Sequence, residues 1–91
     1  MDDMDAYLNE RLAKDKEFKK IWEEEATKRE VVKMLLEMRI KEGLTQKELA
    51  ERLKTSQSSI ARIEGGKGNP TLEFLIKLGK AFNKKLELHY L

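Results

Sequence analysis

The chain has 91 residues, 40% of them charged, and a formal net charge of +2. A chain of this length forms one small domain with limited surface burial, so association with a second copy is expected. It contains no cysteine and one histidine, which excludes disulfides, thiol nucleophiles and cysteine or histidine metal clusters. We therefore expect no metal and no cofactor.

The charge is divided unevenly along the chain. Residues 1–26, called the leader below, carry nine acidic and five basic side chains, whereas residues 27–91 carry fourteen basic and eight acidic ones. A basic body suits a polyanion, and an acidic leader is repelled by the same surface, so the two parts are expected to meet different partners.

Membrane insertion and export are not expected. No apolar stretch approaches the ~20 residues needed to span a bilayer, and the acidic N-terminus lacks the basic start of a signal peptide. These features predict a cytoplasmic protein with no membrane partner.

Two short amphipathic helices are predicted in the leader. Apolar residues recur at helical spacing on either side of Asp15, which can cap the second helix. The first set is Met4, Tyr7, Leu8 and Leu12, and the second is Phe18, Ile21, Trp22 and Ala26.

A third helix is predicted from a capping box of Thr27 and Glu30 to a stop at Gly43. Its apolar residues form two faces, so both the core and the leader are expected to cover it. One face holds Val32, Leu35 and Leu36, and the other holds Val31, Met34 and Met38.

The next two helices are joined very closely. Thr45 and Glu48 form a capping box that opens the first, and Ser56 can cap the second. Only Lys54 and Thr55 separate them, so the two helices are expected to cross steeply, as in a helix-turn-helix. The inward residues are Leu49, Ala50 and Leu53 on the first helix and Ile60 and Ile63 on the second.

The C-terminal part begins with a glycine-rich break at residues 65–70, and helical spacing resumes over residues 71–83. Residues 85–90 then alternate polar and apolar side chains, the pattern of a half-buried strand. A single strand needs a partner, and the same strand of a second copy is the nearest candidate. The expected dimer contacts are Leu86, Leu88 and Tyr90.

The segments Gly43–Ala50 and Ser56–Gly65 resemble the helix-turn-helix of the XRE, Cro and phage-repressor family, and the resemblance covers residues 28–83. It implies that the second helix of the motif enters the major groove, with base contacts from Gln57, Ser58 and Arg62. The chemistry agrees, because Gln pairs with adenine, Arg with guanine and Ser with either base. Without the motif, such residues would be read as an ordinary solvated helix face.

The same resemblance implies further roles around the motif. Arg39 and Glu64 are expected to form a structural ion pair, which would contribute little if it lies on the surface. Lys54 stands where relatives commonly carry glycine, so the joint is expected to be strained or slightly reshaped. The phosphate contacts are expected from Thr45, Gln46, Ser59, Lys67 and Asn69.

No catalytic site is predicted. The glycine run lacks the Lys-Ser/Thr ending of a nucleotide loop. The serines have no histidine beside them in sequence, and the carboxylates lie at exposed helical positions.

The leader and the C-terminal segment add a second resemblance, to HigA-type antitoxins, which spans nearly the whole chain. It implies a small, basic, RelE/HigB-like mRNA-cleaving toxin as partner and repression of the chain's own operon. An acidic, aromatic leader suits such a partner, with Tyr7, Phe18 and Trp22 as contacts. The alternative is that the leader only packs on Val31, Met34 and Met38 of its own chain, and both can hold on opposite faces.

The sequence thus predicts an all-α, lambda-repressor-like helix-turn-helix bundle with an N-terminal helical extension and a short C-terminal β-strand. Its parts are the leader (1–26), the DNA-binding domain (27–83) and a dimerising strand (84–91). The predicted function is a homodimeric antitoxin and repressor that binds a palindromic operator in double-stranded DNA. The alternatives are a stand-alone XRE-family repressor without a toxin and a protein-interaction adaptor that does not bind DNA.

Overall fold

A computed structural model describes residues 3–91, which form six α helices and no strand. The helices are α1 Asp3–Lys14, α2 Lys16–Glu24, α3 Ala26–Lys41, α4 Gln46–Leu53, α5 Gln57–Glu64 and α6 Leu72–Ala81. This architecture agrees with the helix-turn-helix bundle expected from the sequence. Residues 1 and 2 of the leader lie outside the described residues.

The predicted C-terminal strand is wrong. Residues 84–91 have no regular secondary structure, and the side chain of Leu88 is 69% exposed. A strand is defined by its pairing, and the described residues offer no second strand with which this segment could form a ladder. The alternation of polar and apolar residues therefore belongs to a tail without regular secondary structure.

One compact core holds α3 to α6 together. The helices α4 and α5 pack against each other, α5 packs on α3, and α6 packs on α4. Burial of these side chains is the main driving force for the bundle. The core residues are Leu35, Leu49, Ala50, Leu53, Ile60, Ile63 and Leu78.

The helices α1 and α2 extend away from this core. They contribute none of its described residues; α1 packs on α2, and α2 packs on α3. The radius of gyration is 15.3 Å with a longest extent of 43 Å, against ~12 Å expected for a compact chain of this length. Ile21 is 54% exposed, while Met34 and Met38 pack against the core.

Aromatic and cationic side chains brace the leader. The rings of Phe18 and Trp22 stack with centroids 6.1 Å apart. The guanidinium of Arg11 lies 4.0 Å from the Phe18 ring centroid, and that of Arg29 lies 3.3 Å from the ring centroid of Trp22. Arg29 also donates a 2.7 Å hydrogen bond to the backbone carbonyl of Trp22. These contacts fix α2 against the start of α3.

The helix starts test the capping predictions. The carboxylate of Asp15 accepts from the backbone N–H of Phe18 at 2.9 Å, which confirms this N-cap. The Thr27 and Glu30 box is wrong, because α3 has already begun at Ala26. Only Glu25 separates α2 from α3; its backbone N–H donates to the carbonyl of Ile21 at 3.0 Å, and its carbonyl accepts from the N–H of Arg29 at 3.1 Å. Glu25 is therefore the N-cap residue of α3, and its side chain makes no capping hydrogen bond.

The joint between α4 and α5 depends on a left-handed residue. Lys54 has φ 55° and ψ 45°, so it adopts the conformation that glycine usually supplies at a helix end. The backbone N–H of Thr55 donates to the carbonyl of Ala50 at 2.9 Å, which closes α4. The joint therefore keeps its geometry at the cost of strain in Lys54.

Replacing Lys54 with glycine is expected to stabilise the fold. The Lys54→Gly variant should gain about 0.5 to 1 kcal/mol in free energy of unfolding, measured by urea denaturation, because glycine removes the left-handed penalty. Asn83 provides the control, since it also has a positive φ, of 57°, but asparagine tolerates this region. An Asn83→Gly gain as large as that of Lys54→Gly would contradict the argument.

Candidate nucleic-acid interface

The helix α5 presents a polar face to solvent, which we call the recognition face. It consists of Gln57, Ser58, Ala61 and Arg62, all exposed, while Ile60 and Ile63 on the opposite side are buried. Helical spacing places the four residues on one surface, because they stand at positions i, i+1, i+4 and i+5. The three predicted base-contacting residues therefore lie together and are open to a ligand.

The start of α5 is held by three hydroxyl groups. The Oγ of Ser56 accepts from the backbone N–H of Ser59 at 3.2 Å and lies 2.8 Å from the Oγ of Ser59. The Oγ of Ser58 lies 3.1 Å from the same Ser56 oxygen. This confirms Ser56 as the N-cap and orients the first turn of the recognition face.

Two side chains of the recognition face are free of internal partners. In residues 3–91, neither Gln57 nor Arg62 has a side-chain hydrogen bond or an ion pair. The guanidinium of an arginine is a cation that carries five N–H donors. An exposed cation and an exposed amide on one helix face are therefore ready to bind an external group.

A buried ion pair fixes the other end of α5. The guanidinium of Arg39 donates from Nε to Glu64 Oε2 at 2.6 Å and from Nη2 to Glu64 Oε1 at 3.0 Å. A third bond, from Nη1 to the carbonyl of Leu44, measures 2.8 Å. The Glu64 side chain is only 6% exposed. The predicted structural pair is confirmed, and it is largely shielded from solvent, since the Arg39 side chain is 17% exposed.

Gln46 joins this network, which the sequence did not indicate. Its Nε2 donates to Glu64 Oε1 at 2.9 Å, and the residue is half-buried. An amide nitrogen carries two N–H groups, so the second is left for another acceptor. The predicted phosphate contact of Gln46 remains a prediction, and the bond to Glu64 would hold the amide in place for it.

The capping box at the start of α4 is confirmed. The Thr45 Oγ1 accepts from the backbone N–H of Glu48 at 3.1 Å, and the backbone N–H of Thr45 donates to Glu48 Oε1 at 2.9 Å. The hydrogen bond from the Thr45 backbone, and then that from its hydroxyl, lowers the pKa of Glu48 below its usual 4.5. The Glu48 carboxylate is therefore ionised at neutral pH, and both hydrogen bonds of the capping box are formed.

The remaining predicted phosphate contacts lie around the same surface. Lys67 and Asn69 are both exposed in the loop after α5, and Lys67 has no ion-pair partner within the described chain. The backbone N–H of Lys67 donates to the carbonyl of Arg62 at 2.9 Å, which ties this loop to α5. Ser59 is half-buried, and its hydroxyl faces Ser56.

Metal clusters and membrane spans are both missing from the described residues. Across residues 3–91, no group of three or more histidine, cysteine, aspartate or glutamate side chains is arranged to hold a metal ion. No helix in this part of the chain combines the length and apolar character required to cross a membrane.

Comparison with known proteins decides the family. The profile of the helix-turn-helix family, of the XRE type, matches residues 35–89, which is more than half of the chain. The chain belongs to this family. The match covers the helix-turn-helix core and the tail, and it leaves α1, α2 and the first half of α3 outside.

Three similar proteins come from archaea. Two proteins of Archaeoglobus fulgidus are 39% and 41% identical over 51 residues, which is 56% of this chain and 73% and 72% of theirs. A protein of Methanocaldococcus jannaschii is 42% identical over 45 residues, 50% of this chain and 68% of its own. Each is named an uncharacterized HTH-type transcriptional regulator. No solved structure matches the chain significantly.

Loss of the buried ion pair is expected to destabilise the helix-turn-helix. An Arg39→Ala variant leaves the Glu64 carboxylate buried with only the Gln46 amide, which should cost about 3 kcal/mol in free energy of unfolding. The control is Lys14→Ala, which breaks an exposed 2.7 Å pair with Glu10 and should change stability by less than about 0.5 kcal/mol. Equal effects in urea denaturation would contradict the assignment.

Proposed function

We propose that this protein is a transcriptional regulator that binds a palindromic operator in double-stranded DNA through the recognition face of α5. The observation that carries the proposal is the exposure of Gln57, Ser58 and Arg62 on a helix whose other side is buried. The names of the archaeal relatives support the same function. An α helix fits the major groove, where each base pair presents a distinct pattern of donors and acceptors.

The side chains of the recognition face suit different bases. The Gln57 amide can donate to and accept from adenine, and the Arg62 guanidinium can donate two bonds to guanine. Ser58 can bond either base, and Ala61 adds a methyl group on the same surface. Contacts of Thr45, Gln46, Ser59, Lys67 and Asn69 with the phosphates would set the position of α5 without reading sequence.

Operator symmetry requires two copies of the chain. A palindrome presents two equivalent half-sites, and a dimer places its recognition helices about 34 Å apart in successive major grooves. The predicted contribution of Leu86, Leu88 and Tyr90 to this dimer remains a prediction. Its support is the exposure of Leu88 and Tyr90, whereas Leu86 is half-buried.

DNA-binding measurements distinguish a residue that contacts a base from one that contacts a phosphate. Arg62→Ala should cost about 1 to 3 kcal/mol on the operator and relax the preference at one base pair. Lys67→Ala should weaken operator and random DNA alike and reduce the slope of log K against log salt by about one. The measurement is a fluorescence anisotropy titration at several salt concentrations. If each variant loses as much affinity for random DNA as for operator DNA, Arg62 does not contact a base.

An adaptor that uses the same fold without DNA is the competing class. It would retain only weak, sequence-blind binding to the chain's own promoter in moderate salt. A gel shift against that promoter distinguishes the two, since a regulator should show sequence-specific retention.

We further propose that the leader binds a small basic protein, which would make the regulator an antitoxin of the HigA type. The support is the acidic charge of the leader and its extension away from the core. Tyr7 is 65% exposed and open to a partner. Phe18 and Trp22 are partly covered by Arg11 and Arg29, so they brace the leader and offer their remaining surface. A stand-alone repressor without a toxin is the alternative.

Removal of the leader tests this proposal. A chain starting at residue 27 should lose copurification with the product of a neighbouring gene for a small basic protein, yet keep operator affinity within about threefold, because the core draws no residue from α1 or α2. The matched variant in the full chain is Tyr7→Ala, which should weaken the complex and leave DNA binding unchanged. Neutralisation by the truncated chain would show that the binding surface lies elsewhere.

A further inference from the structure

Lys54 combines a strained backbone with an exposed charge in the joint between α4 and α5. In residues 3–91, the residues other than glycine that have a positive φ are Lys54 and Asn83. Asparagine enters the left-handed region readily, whereas lysine does so at a cost in free energy. Strain of this kind is concentrated at functional sites, where the surrounding structure imposes it. The strain at Lys54 therefore points to a role for its side chain.

The fold itself gives the Lys54 side chain no partner. The residue is exposed, and within residues 3–91 its ammonium group forms no ion pair. Glu51 precedes it by three residues, a spacing that allows an ion pair on a regular helix. The backbone of Lys54 has left the helical conformation, so its side chain is not held beside Glu51. The described chain thus leaves this charge without a counterion.

Lys54 lies close to the end of α5 that carries Gln57. Three residues of chain span at most about 11 Å, which limits the distance between the Cα atoms of Lys54 and Gln57. The joint is held on both sides, by the 2.9 Å bond from Thr55 to the Ala50 carbonyl and by the 3.2 Å bond of the Ser56 cap. Hydrogen bonds therefore fix the backbone of Lys54 relative to the recognition face.

A helix-turn-helix bound to DNA gives this joint a defined place. The second helix enters the major groove with its N-terminal residues on the base edges, while the first helix crosses the phosphate backbone. The joint then lies where the chain passes from the backbone into the groove. Because the major groove is only about 12 Å wide, a long cationic side chain at this place can reach a phosphate at the edge of the groove.

We propose that Lys54 binds such a phosphate, so that the strained residue is retained for its charge. This contact depends on the proposed DNA binding and is one that glycine, with no side chain, could not make. An ion pair with a phosphate releases condensed counterions and carries no sequence information. Lys54 thus strengthens binding to any duplex, whereas Gln57 and Arg62 select the sequence.

Three substitutions separate the charge of Lys54 from its strain. Lys54→Gly relieves the left-handed backbone and removes the charge, so it should raise the midpoint of urea denaturation and weaken DNA binding. Lys54→Gln removes the charge but keeps the strain, and Lys54→Arg keeps both. A phosphate contact requires that affinity for DNA follow the charge, while stability follows the strain.

Fluorescence anisotropy titrations of the full chain measure the contact. One duplex carries the chain's own promoter, and the other contains the same bases in shuffled order. At about 0.1 M salt, Lys54→Gly and Lys54→Gln should bind both duplexes about fivefold more weakly, and the slope of log K against log salt should fall by about one. Lys54→Arg should stay within about twofold of the unaltered protein, because arginine also binds phosphate.

Lys20 supplies a matched control. It is exposed on α2, in the leader that extends away from the core, and it has no ion pair within residues 3–91. Lys20→Gln removes the same charge and should change the affinity for either duplex by less than about 1.5-fold, because salt screens distant exposed charges. An equal loss in Lys20→Gln and Lys54→Gln would assign the effect to net charge and overturn the proposal.

A neutral phosphate provides a readout that a purely structural role of Lys54 would not change. Methylphosphonates can replace the phosphates of the promoter duplex one at a time. At the contacted position, replacement should weaken binding of the unaltered protein about fivefold and should not weaken Lys54→Gln further, because two groups in contact do not contribute additively. Additive losses at every position would refute the contact.

The negative results have different meanings. Promoter-specific binding that Lys54→Gln leaves unchanged would refute the phosphate contact and leave the proposed function intact. Absence of binding to either duplex by the unaltered protein would refute both. Weaker binding by Lys54→Gly but not by Lys54→Gln would assign the effect to the backbone and refute the contact. Circular dichroism melts show that each variant is folded at the temperature of the titration.

Discussion

The position of α5 depends on one ion pair, between Arg39 and Glu64, that is largely shielded from solvent. The bidentate bond between Arg39 and Glu64 connects α3 to the last turn of α5, and the third Arg39 bond reaches the Leu44 carbonyl just before α4. Gln46, the first residue of α4, donates a further hydrogen bond to the same carboxylate. Three helices are thereby tied at one point, so α5 cannot rotate to bury its polar face without breaking charged hydrogen bonds inside the fold.

The two ends of α5 serve different purposes. The C-terminal end is held by the buried pair, and the N-terminal end is held by the Ser56 cap and left exposed at Gln57. In the joint before α5, Lys54 adopts the left-handed backbone conformation, in which glycine would be less strained. Lys54 costs stability, but it adds an exposed cation next to the proposed DNA-binding surface. A cation at this place favours binding to phosphate groups.

Features set by nearby residues could be predicted from the sequence. The caps at Asp15, Thr45 and Ser56 are as expected, because each depends on a side chain three residues from its bond. The predicted base contacts share one exposed face, although their contact with bases remains a prediction. The Thr27 box is wrong because α3 begins before Thr27, at Ala26, with Glu25 as its N-cap residue.

Features that depend on distant or absent partners could not be predicted. The pattern of residues 85–90 is that of a strand, but pairing needs a second chain segment at the right place. The helical spacing of apolar residues predicts that the leader covers one side of α3. This spacing does not show that the leader extends away from the core. The bond from Gln46 to Glu64 joins residues 18 positions apart and has no sequence signature.

The extension of α1 and α2 has a consequence for hydrodynamics. A 10.7 kDa chain with extents of 43 × 30 × 22 Å experiences more friction than a sphere of the same mass. It should elute early from a sizing column and tumble slowly in relaxation experiments, so that a monomer resembles a heavier, rounder protein. The apparent size therefore depends on how far the leader extends from the core. The number of chains in the particle has to come from a mass measurement.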